Sequence, residues 1–111
     1  MKHLLAEAPN ERLAVLLLDR DFRLLKVIIY EGGRSDVVVP IGRIASAAAA
    51  SKAANMLIGH NHPSGASDFS AADYRVTRRI AQACRIIEIR LLDHLLFTGP
   101  TVRSMRTDGH L

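Results

Sequence analysis

The chain has 111 residues, of which 49% are hydrophobic and 23% are charged, and its formal net charge at pH 7 is +4. This length and composition suffice for one hydrophobic core, so we expect a folded single domain over residues 1–111 and exclude a disordered chain. No apolar run approaches the roughly 20 residues that cross a bilayer, and the N-terminus lacks the pattern of a signal peptide. We therefore expect a soluble, cytoplasmic protein without a membrane partner.

The basic residues and the single cysteine restrict the partners and the metal chemistry. The 15 Lys and Arg residues are scattered along the chain, which is typical of a solvated surface, so we expect nucleic-acid binding to be weak or absent. Cys84 has no partner for an internal disulfide, and it excludes a zinc site that needs two thiolates from this chain. Any metal site must therefore use histidine and carboxylate ligands, and Cys84 itself is predicted to pack in the core.

The N-terminal half predicts a hairpin, a third strand and a helix. The apolar runs "LAVLLLD" (13–19) and "RLLKVIIYE" (23–31) are separated by a short polar link, which is typical of a β-hairpin. "DVVVP" (36–40) is rich in valine and bounded by turn residues, so it predicts a short third strand. The alanine-rich segment 41–54 favours a helix that packs closely through small side chains.

The C-terminal half predicts two further strands and an edge strand around one amphipathic helix. "NMLIGH" (55–60) is short, apolar and bounded by glycine, which indicates a buried strand. Apolar residues recur at helical spacing within residues 70–87. "EIRLLDHLLF" (88–97) predicts a strand, and "GPTVRSM" (99–105) predicts a short edge strand. Alternating strands and helices of this kind indicate an α/β fold, a mixed sandwich in which helices cover a sheet.

The segment "GHNHPSGASDFSAAD" (59–73) combines two histidines, a serine and an aspartate directly after the buried strand. Residues two apart in a strand point to the same face, so His60 and His62 can approach one metal ion. Pro63 ends the strand ladder, and the following turn can bring the next helix back over the histidines. Asp73 lies one turn into that helix and could supply an oxygen ligand. Three protein ligands plus water are typical of a catalytic zinc site.

Less specific interpretations of the same residues remain open. Ser70 and Asp73 also form an [ST]-x-x-[DE] capping box, which is common in ordinary helices, and the two histidines could be loop residues satisfied by hydrogen bonds. The capping role and the metal role are compatible. Other hydrolytic motifs are absent, because the chain has no H-E-x-x-H, no G-x-S-x-G, no Walker loop and not enough cysteines for a zinc deaminase.

The spacing of these residues resembles the JAMM metal motif of the JAB/MPN domain, which reads H-x-H, seven residues, S, two residues, D. His60, His62, Ser70 and Asp73 stand at those positions. Together with "HNHPSG", "TRR" and "LLDHLLF", the sequence is most similar to the RadC group of bacterial proteins, from about Glu11 to the last residue. The sequence does not include the N-terminal helix-hairpin-helix region of full-length RadC proteins, so a DNA-binding role of that region does not transfer.

The resemblance implies a fold, a cofactor and further roles. The fold would be a JAB/MPN-like mixed β-sheet flanked by helices, a cytidine-deaminase-like sandwich, and the metal would be zinc. Glu11, in "PNERLAVLLL", would be the general base, with Glu7 as the alternative and a solvated surface acid as the simpler interpretation of both. Ser70 would donate a hydrogen bond to the developing oxyanion. Asp93 and His94 match residues typical of the RadC group, and we interpret them as a polar pair with a structural or supporting role.

Two functions from different classes follow from the sequence. The first is a zinc-dependent JAMM-type metallohydrolase that cleaves a peptide or isopeptide bond in a peptide or protein substrate. Its ligands would be His60, His62 and Asp73, with Glu11 and Ser70 as catalytic residues. The alternative is a non-catalytic JAB-fold binding or adaptor module, and the resemblance implies a link to DNA repair, because RadC proteins were historically labelled DNA repair proteins. The intact motif favours the first, and a homodimer remains open for both.

Overall fold

A computed structural model describes residues 2–6, 8–32 and 39–111. In chain order the elements are α1 (Lys2–Leu5), β1 (Arg12–Leu18), β2 (Leu24–Glu31), α2 (Ile41–Ala50), β3 (Asn55–Asn61), α3 (Ala71–Ile86), β4 (Arg90–Thr98) and β5 (Thr101–Ser104). The predicted hairpin is confirmed, because β1 and β2 pair antiparallel with Leu13 opposite Tyr30 and Leu16 opposite Val27.

The strands form one five-stranded mixed sheet in the order β2-β1-β3-β4-β5. β3 lies in the centre, antiparallel to β1 and parallel to β4, and α3 makes the crossover between the two parallel strands. Every residue of β3 is buried except the half-buried Leu57, which explains why residues 56–59 form an unbroken apolar run and do not alternate with polar residues. The predicted α/β fold, a mixed sheet with helices packed against it, is therefore confirmed.

The main hydrophobic core lies between the sheet and the helices α2 and α3. It is built from Val15 and Leu17 of β1, Ile58 of β3, Ile44 of α2 and Ile80 of α3, together with neighbouring side chains. The same face of the sheet carries His60 on β3 and His94 on β4, which pair in register with Leu96 and Ile58 respectively. The site residues are thus an extension of the core layer and lie at one end of it.

Both major helices end in the same geometry, and it ends α2 earlier than the sequence predicts. Lys52 after α2 and Glu88 after α3 adopt a left-handed conformation, with φ of 55° and 59°. The next residue then donates a backbone hydrogen bond back into the last helical turn, from Ala53 to Ala48 (3.1 Å) and from Ile89 to Cys84 (2.8 Å). This is the Schellman geometry, which usually has glycine at the left-handed position.

These helix ends correct two predicted boundaries. The helix predicted over 41–54 ends at Ala50, and the strand predicted over 88–97 begins at Arg90 because Glu88 still belongs to the helix cap. The helix predicted within 70–87 covers Ala71–Ile86, and α1 was not predicted. The strand predicted at 36–40 lies largely outside the described residues. No helix within the described ranges is long and apolar enough to cross a bilayer.

Candidate metal centre

Three segments meet at the carboxyl end of β3 and bring four ligand-type side chains together. Leu13 of β1 pairs with His60 of β3, so Glu11, two residues before Leu13, lies at the same end of the sheet as His62. The polar turn after His62 leads back to α3, whose first turn carries Asp73. One ligand atom from each of Glu11, His60, His62 and Asp73 lies within 4.8 Å of the others.

The atoms of the two histidines and the aspartate converge most closely. His60 Nε2 lies 3.0 Å from His62 Nε2, and each of these nitrogens lies 3.2 Å from Asp73 Oδ2. In a tetrahedral zinc site with bonds of about 2.0–2.1 Å, neighbouring ligand atoms are about 3.3–3.4 Å apart. The spacing of the three atoms is therefore close to the edge length that a tetrahedral cation requires, and the residues fit such an ion.

A hydrogen-bond chain through the core orients His60. Thr77 Oγ1 donates to the main-chain oxygen of Asp73 (2.7 Å) and lies 2.6 Å from His94 Nδ1. Because the hydroxyl proton is already donated, His94 must carry its proton on Nδ1 and accept with Nε2. His60 Nδ1 lies 2.6 Å from that Nε2 and is then the donor, which leaves His60 Nε2 as a bare lone pair facing the cluster.

The environment of His94 supports this assignment. Its side chain is buried at 1% exposure, and this burial lowers the pKa of His94 to about 3. A neutral imidazole in this position can accept one hydrogen bond and donate one. His94 therefore has the supporting role predicted from the sequence, and its partner in that role is Thr77, which the sequence interpretation missed.

His62 is oriented independently of the core. Its Nδ1 lies 3.0 Å from the main-chain oxygen of Ala66, a group that can only accept, so the proton belongs on Nδ1 and Nε2 is bare. Its backbone N–H donates to Phe97 O at 3.3 Å, which holds the residue just beyond the end of β3. Both histidines thus present Nε2 to the same point.

Asp73 combines helix capping with its place in the cluster. Its Oδ2 accepts from Ser70 N (2.7 Å), and Ser70 Oγ accepts from Asp73 N (3.1 Å), which is a complete capping box at the start of α3. Burial alone would raise the pKa of Asp73, but the hydrogen bond and charge of a protonated His60, whose place a bound cation would take at Nε2, and the bonds from Ser70 hold this pKa well below its ordinary value. The carboxylate is therefore ionised, as a metal ligand requires.

Asn61, between the two histidines, fixes the segment that carries Glu11. Its Oδ1 accepts from Arg12 N (2.6 Å), and its Nδ2 donates to Asn10 O (3.0 Å). These bonds hold the residues on both sides of Glu11 against the end of β3. Asn61 is buried at 2% exposure, and the sequence interpretation assigned it no role. Buried polar residues of this kind are not recognisable from spacing, because their partners are backbone groups distant in sequence.

The remaining predicted residues lie apart from the cluster. Asp93 accepts from the backbone N–H groups of His94 (2.7 Å) and Arg106 (3.0 Å) and from the Ser104 hydroxyl, so it braces the β4–β5 end and not the site. Cys84 is buried in the core as predicted, and burial raises the pKa of its thiol to about 11. Glu7, the alternative base, lies outside the described residues.

A small cavity opens onto the cluster. It has a volume of about 40 Å³, and its walls include Glu11, His60 and Asp73 on the polar side and Leu13, Val39 and Val76 on the apolar side. A cavity of roughly 10–15 Å³ already holds a water molecule when polar partners are present. This space is therefore large enough to hold a water molecule beside the Glu11 carboxylate.

Comparisons with known proteins agree with the motif. The model of the RadC-like JAB domain matches residues 1–110. A UPF0758 protein of Janthinobacterium sp. is 38% identical over 109 residues, covering 97% of this chain and 49% of the relative. A UPF0758 protein of Thiobacillus denitrificans is 33% identical over 112 residues, covering 100% of this chain and 50% of the relative. The chain thus spans about half the length of these curated relatives, and by the match over residues 1–110 it belongs to the RadC-like JAB domain family.

Proposed function

We propose that this chain is a zinc-dependent metallohydrolase of the JAMM type that cleaves peptide or isopeptide bonds with an activated water molecule. The observation that carries the proposal is the convergence of His60 Nε2, His62 Nε2 and Asp73 Oδ2 at 3.0–3.2 Å, with the Glu11 carboxylate beside them. Two imidazoles and one carboxylate are a donor set that suits zinc in catalytic sites. Zinc, when bound there, would act as a Lewis acid and lower the pKa of water to about 7.

The residues of the chain would divide the proton transfers between them. The Glu11 carboxylate would accept a proton from the attacking water and return it to the leaving nitrogen as the carbon–nitrogen bond breaks. Ser70 Oγ accepts the capping hydrogen bond from Asp73 N, which leaves its own proton to donate to the developing oxyanion. Its exposed position at the rim of the site supports this role. The hydroxyl oxygen of Ser70 would thus serve the helix cap, and its proton would serve the oxyanion.

We expect about one equivalent of zinc per chain, and we expect His62→Ala to abolish zinc binding because two of three ligands cannot hold the ion. Elemental analysis of protein purified without chelator measures the content. His110→Ala is the matched control, because this exposed histidine lies outside the cluster and its zinc content should be unchanged. Normal zinc in both His60→Ala and His62→Ala would contradict the site.

We expect Thr77→Val to weaken zinc binding by roughly 10–100-fold while the fold is retained, because His94 Nδ1 loses its acceptor and no longer fixes the tautomer of His60. Competition with a chromophoric chelator measures the affinity. Thr101→Val is the control, because this substitution makes the same change in shape at an exposed residue of β5. An unchanged affinity in Thr77→Val would show that the hydrogen-bond chain does not orient the ligand.

We expect Glu11→Gln to keep zinc and the fold but to lower turnover by roughly 10²–10⁴-fold, because the amide preserves the shape of the side chain and removes the base. A substrate found by digestion of a peptide library with the zinc-loaded protein provides the assay. Zinc loss in Glu11→Gln would instead make Glu11 a ligand. Turnover at the parental rate would mean that Glu11 is not the base, and Glu7→Gln is the variant to compare. Zinc binding without any hydrolysis would favour the adaptor function.

We expect Ser70→Ala to lower turnover by roughly a hundredfold or more with zinc retained, because an oxyanion donor is lost. The variant keeps the backbone N–H that bonds Asp73 Oδ2, so the ligand stays oriented. Loss of the cap alone would cost about 1 kcal/mol of stability and leave turnover intact. Melting temperature, zinc content and turnover are measured on one preparation. A lowered melting temperature with unchanged turnover would leave Ser70 as a cap only.

A further inference from the structure

A second, larger concavity lies between α3 and the C-terminal segment. It has a volume of about 670 Å³, and its walls include Arg75, Arg78, Gln82 and Arg85 from α3 and His110 from the C-terminal segment. We call it the α3 groove. Its volume is within the range of about 300–1,000 Å³ that is usual for ligand sites in proteins.

The basic side chains of the α3 groove form a regular row. Arg75, Arg78, Gln82 and Arg85 are separated by three, four and three residues, which puts them on one face of a helix. All four are exposed, and the row extends over about 15 Å of helix, at 1.5 Å per residue. No Asp or Glu is among the residues that line the groove. In the folded chain, the arginines that looked scattered in sequence therefore concentrate positive charge along one concave surface.

The arginines of the groove differ from the other arginines near the site. Arg103 pairs with Asp68 and with Asp108 (2.7 Å), and Arg12 pairs with Glu31 (2.6 Å). By contrast, the guanidinium groups of Arg75, Arg78 and Arg85 in the α3 groove form no hydrogen bond or ion pair with any residue that the structure describes. Three neighbouring like charges without counter-charges repel each other and present their donors to the groove. The complementary ligand is an anion with several separated negative charges.

The floor of the groove distinguishes between two kinds of polyanion. It is aliphatic, formed by Ala81 of α3 with Met105 and Leu111. The ring of Tyr74, at the end nearest the metal cluster, packs against the rings of Phe69 (5.8 Å between centroids) and His110 (4.6 Å). Single-stranded nucleic acid is usually held by aromatic rings that stack on bases, and here the aromatic ring is engaged within the protein. An aliphatic floor between cationic side chains instead suits carboxylate and aliphatic side chains.

We propose that the α3 groove is a docking site for an acidic peptide segment, whose carboxylates bond to Arg75, Arg78 and Arg85 and whose aliphatic side chains contact the floor. The inference goes beyond the proposed hydrolase function and does not depend on it, because docking involves no bond cleavage. A bidentate pairing of guanidinium with carboxylate provides the affinity, and the contact weakens as salt screens the charges.

Fluorescence anisotropy with a labelled peptide of about eight residues, alternating Glu and Leu, tests the proposal, since such a peptide spans roughly 25 Å when extended. We expect saturable binding that weakens with added salt, and no binding of the same peptide with Lys in place of Glu. The triple variant Arg75→Gln/Arg78→Gln/Arg85→Gln should bind about tenfold or more weakly. Melting temperature and zinc content, compared with those of the parent, establish that the variant is folded.

Two adjacent arginines provide a matched pair. Arg78→Gln removes one charge from the groove and should weaken binding severalfold, whereas Arg79→Gln removes one charge from the same helix outside the groove lining and should change binding less than about twofold. Equal effects of the two substitutions would mean unspecific charge attraction and would overturn the proposal. Failure of the acidic peptide to bind would overturn it as well. Tighter binding of an oligothymidylate of comparable length, lost in the triple variant, would assign the groove to nucleic acid instead.

Discussion

The convergence of His60 Nε2, His62 Nε2 and Asp73 Oδ2 is the constraint on which the other features of the site depend. Three atoms that all carry lone pairs repel each other at 3.0–3.2 Å unless a proton or a cation lies between them. The buried end of β3, the chain reversal after His62 and the capped start of α3 hold the three atoms in this arrangement. Because the three atoms are assembled only in the folded chain, a bound cation stabilises the folded state by its binding free energy.

The fold holds these atoms in place mainly from α3. Asp73 at its first turn supplies the carboxylate, and Thr77, one turn later, fixes His94 and through it the ring of His60. The following buried positions, Ile80 and Cys84, anchor the same face of the helix in the main core. A change in the packing of α3 would therefore move a ligand and the group that orients another ligand together. Only His62 is oriented from the exposed turn, through the main-chain oxygen of Ala66.

The predictions from sequence succeeded where the signal was local and failed where it depended on contacts distant in the chain. The H-x-H and S-x-x-D spacings encode a strand end and a helix start, so His60, His62 and Asp73 could be predicted to lie together. Thr77 and Asn61 could not, because their partners lie 17 to 53 residues away in sequence. The end of α2 was predicted too late and the start of β4 too early, because Lys52 and Glu88 occupy a left-handed position where sequence reasoning expects glycine.

The two sequence interpretations of Ser70 and Asp73, a helix cap and a metal site, meet at a single atom. Asp73 Oδ2 accepts from Ser70 N at 2.7 Å and also faces both histidine nitrogens at 3.2 Å. A carboxylate oxygen has two lone pairs, so one can accept the backbone N–H while the other points to the cluster. The cap therefore does more than start the helix, because it fixes the direction of the second lone pair. Without this backbone bond the aspartate could rotate away from the histidines, so the start of α3 and the direction of the ligand atom are fixed by the same contact.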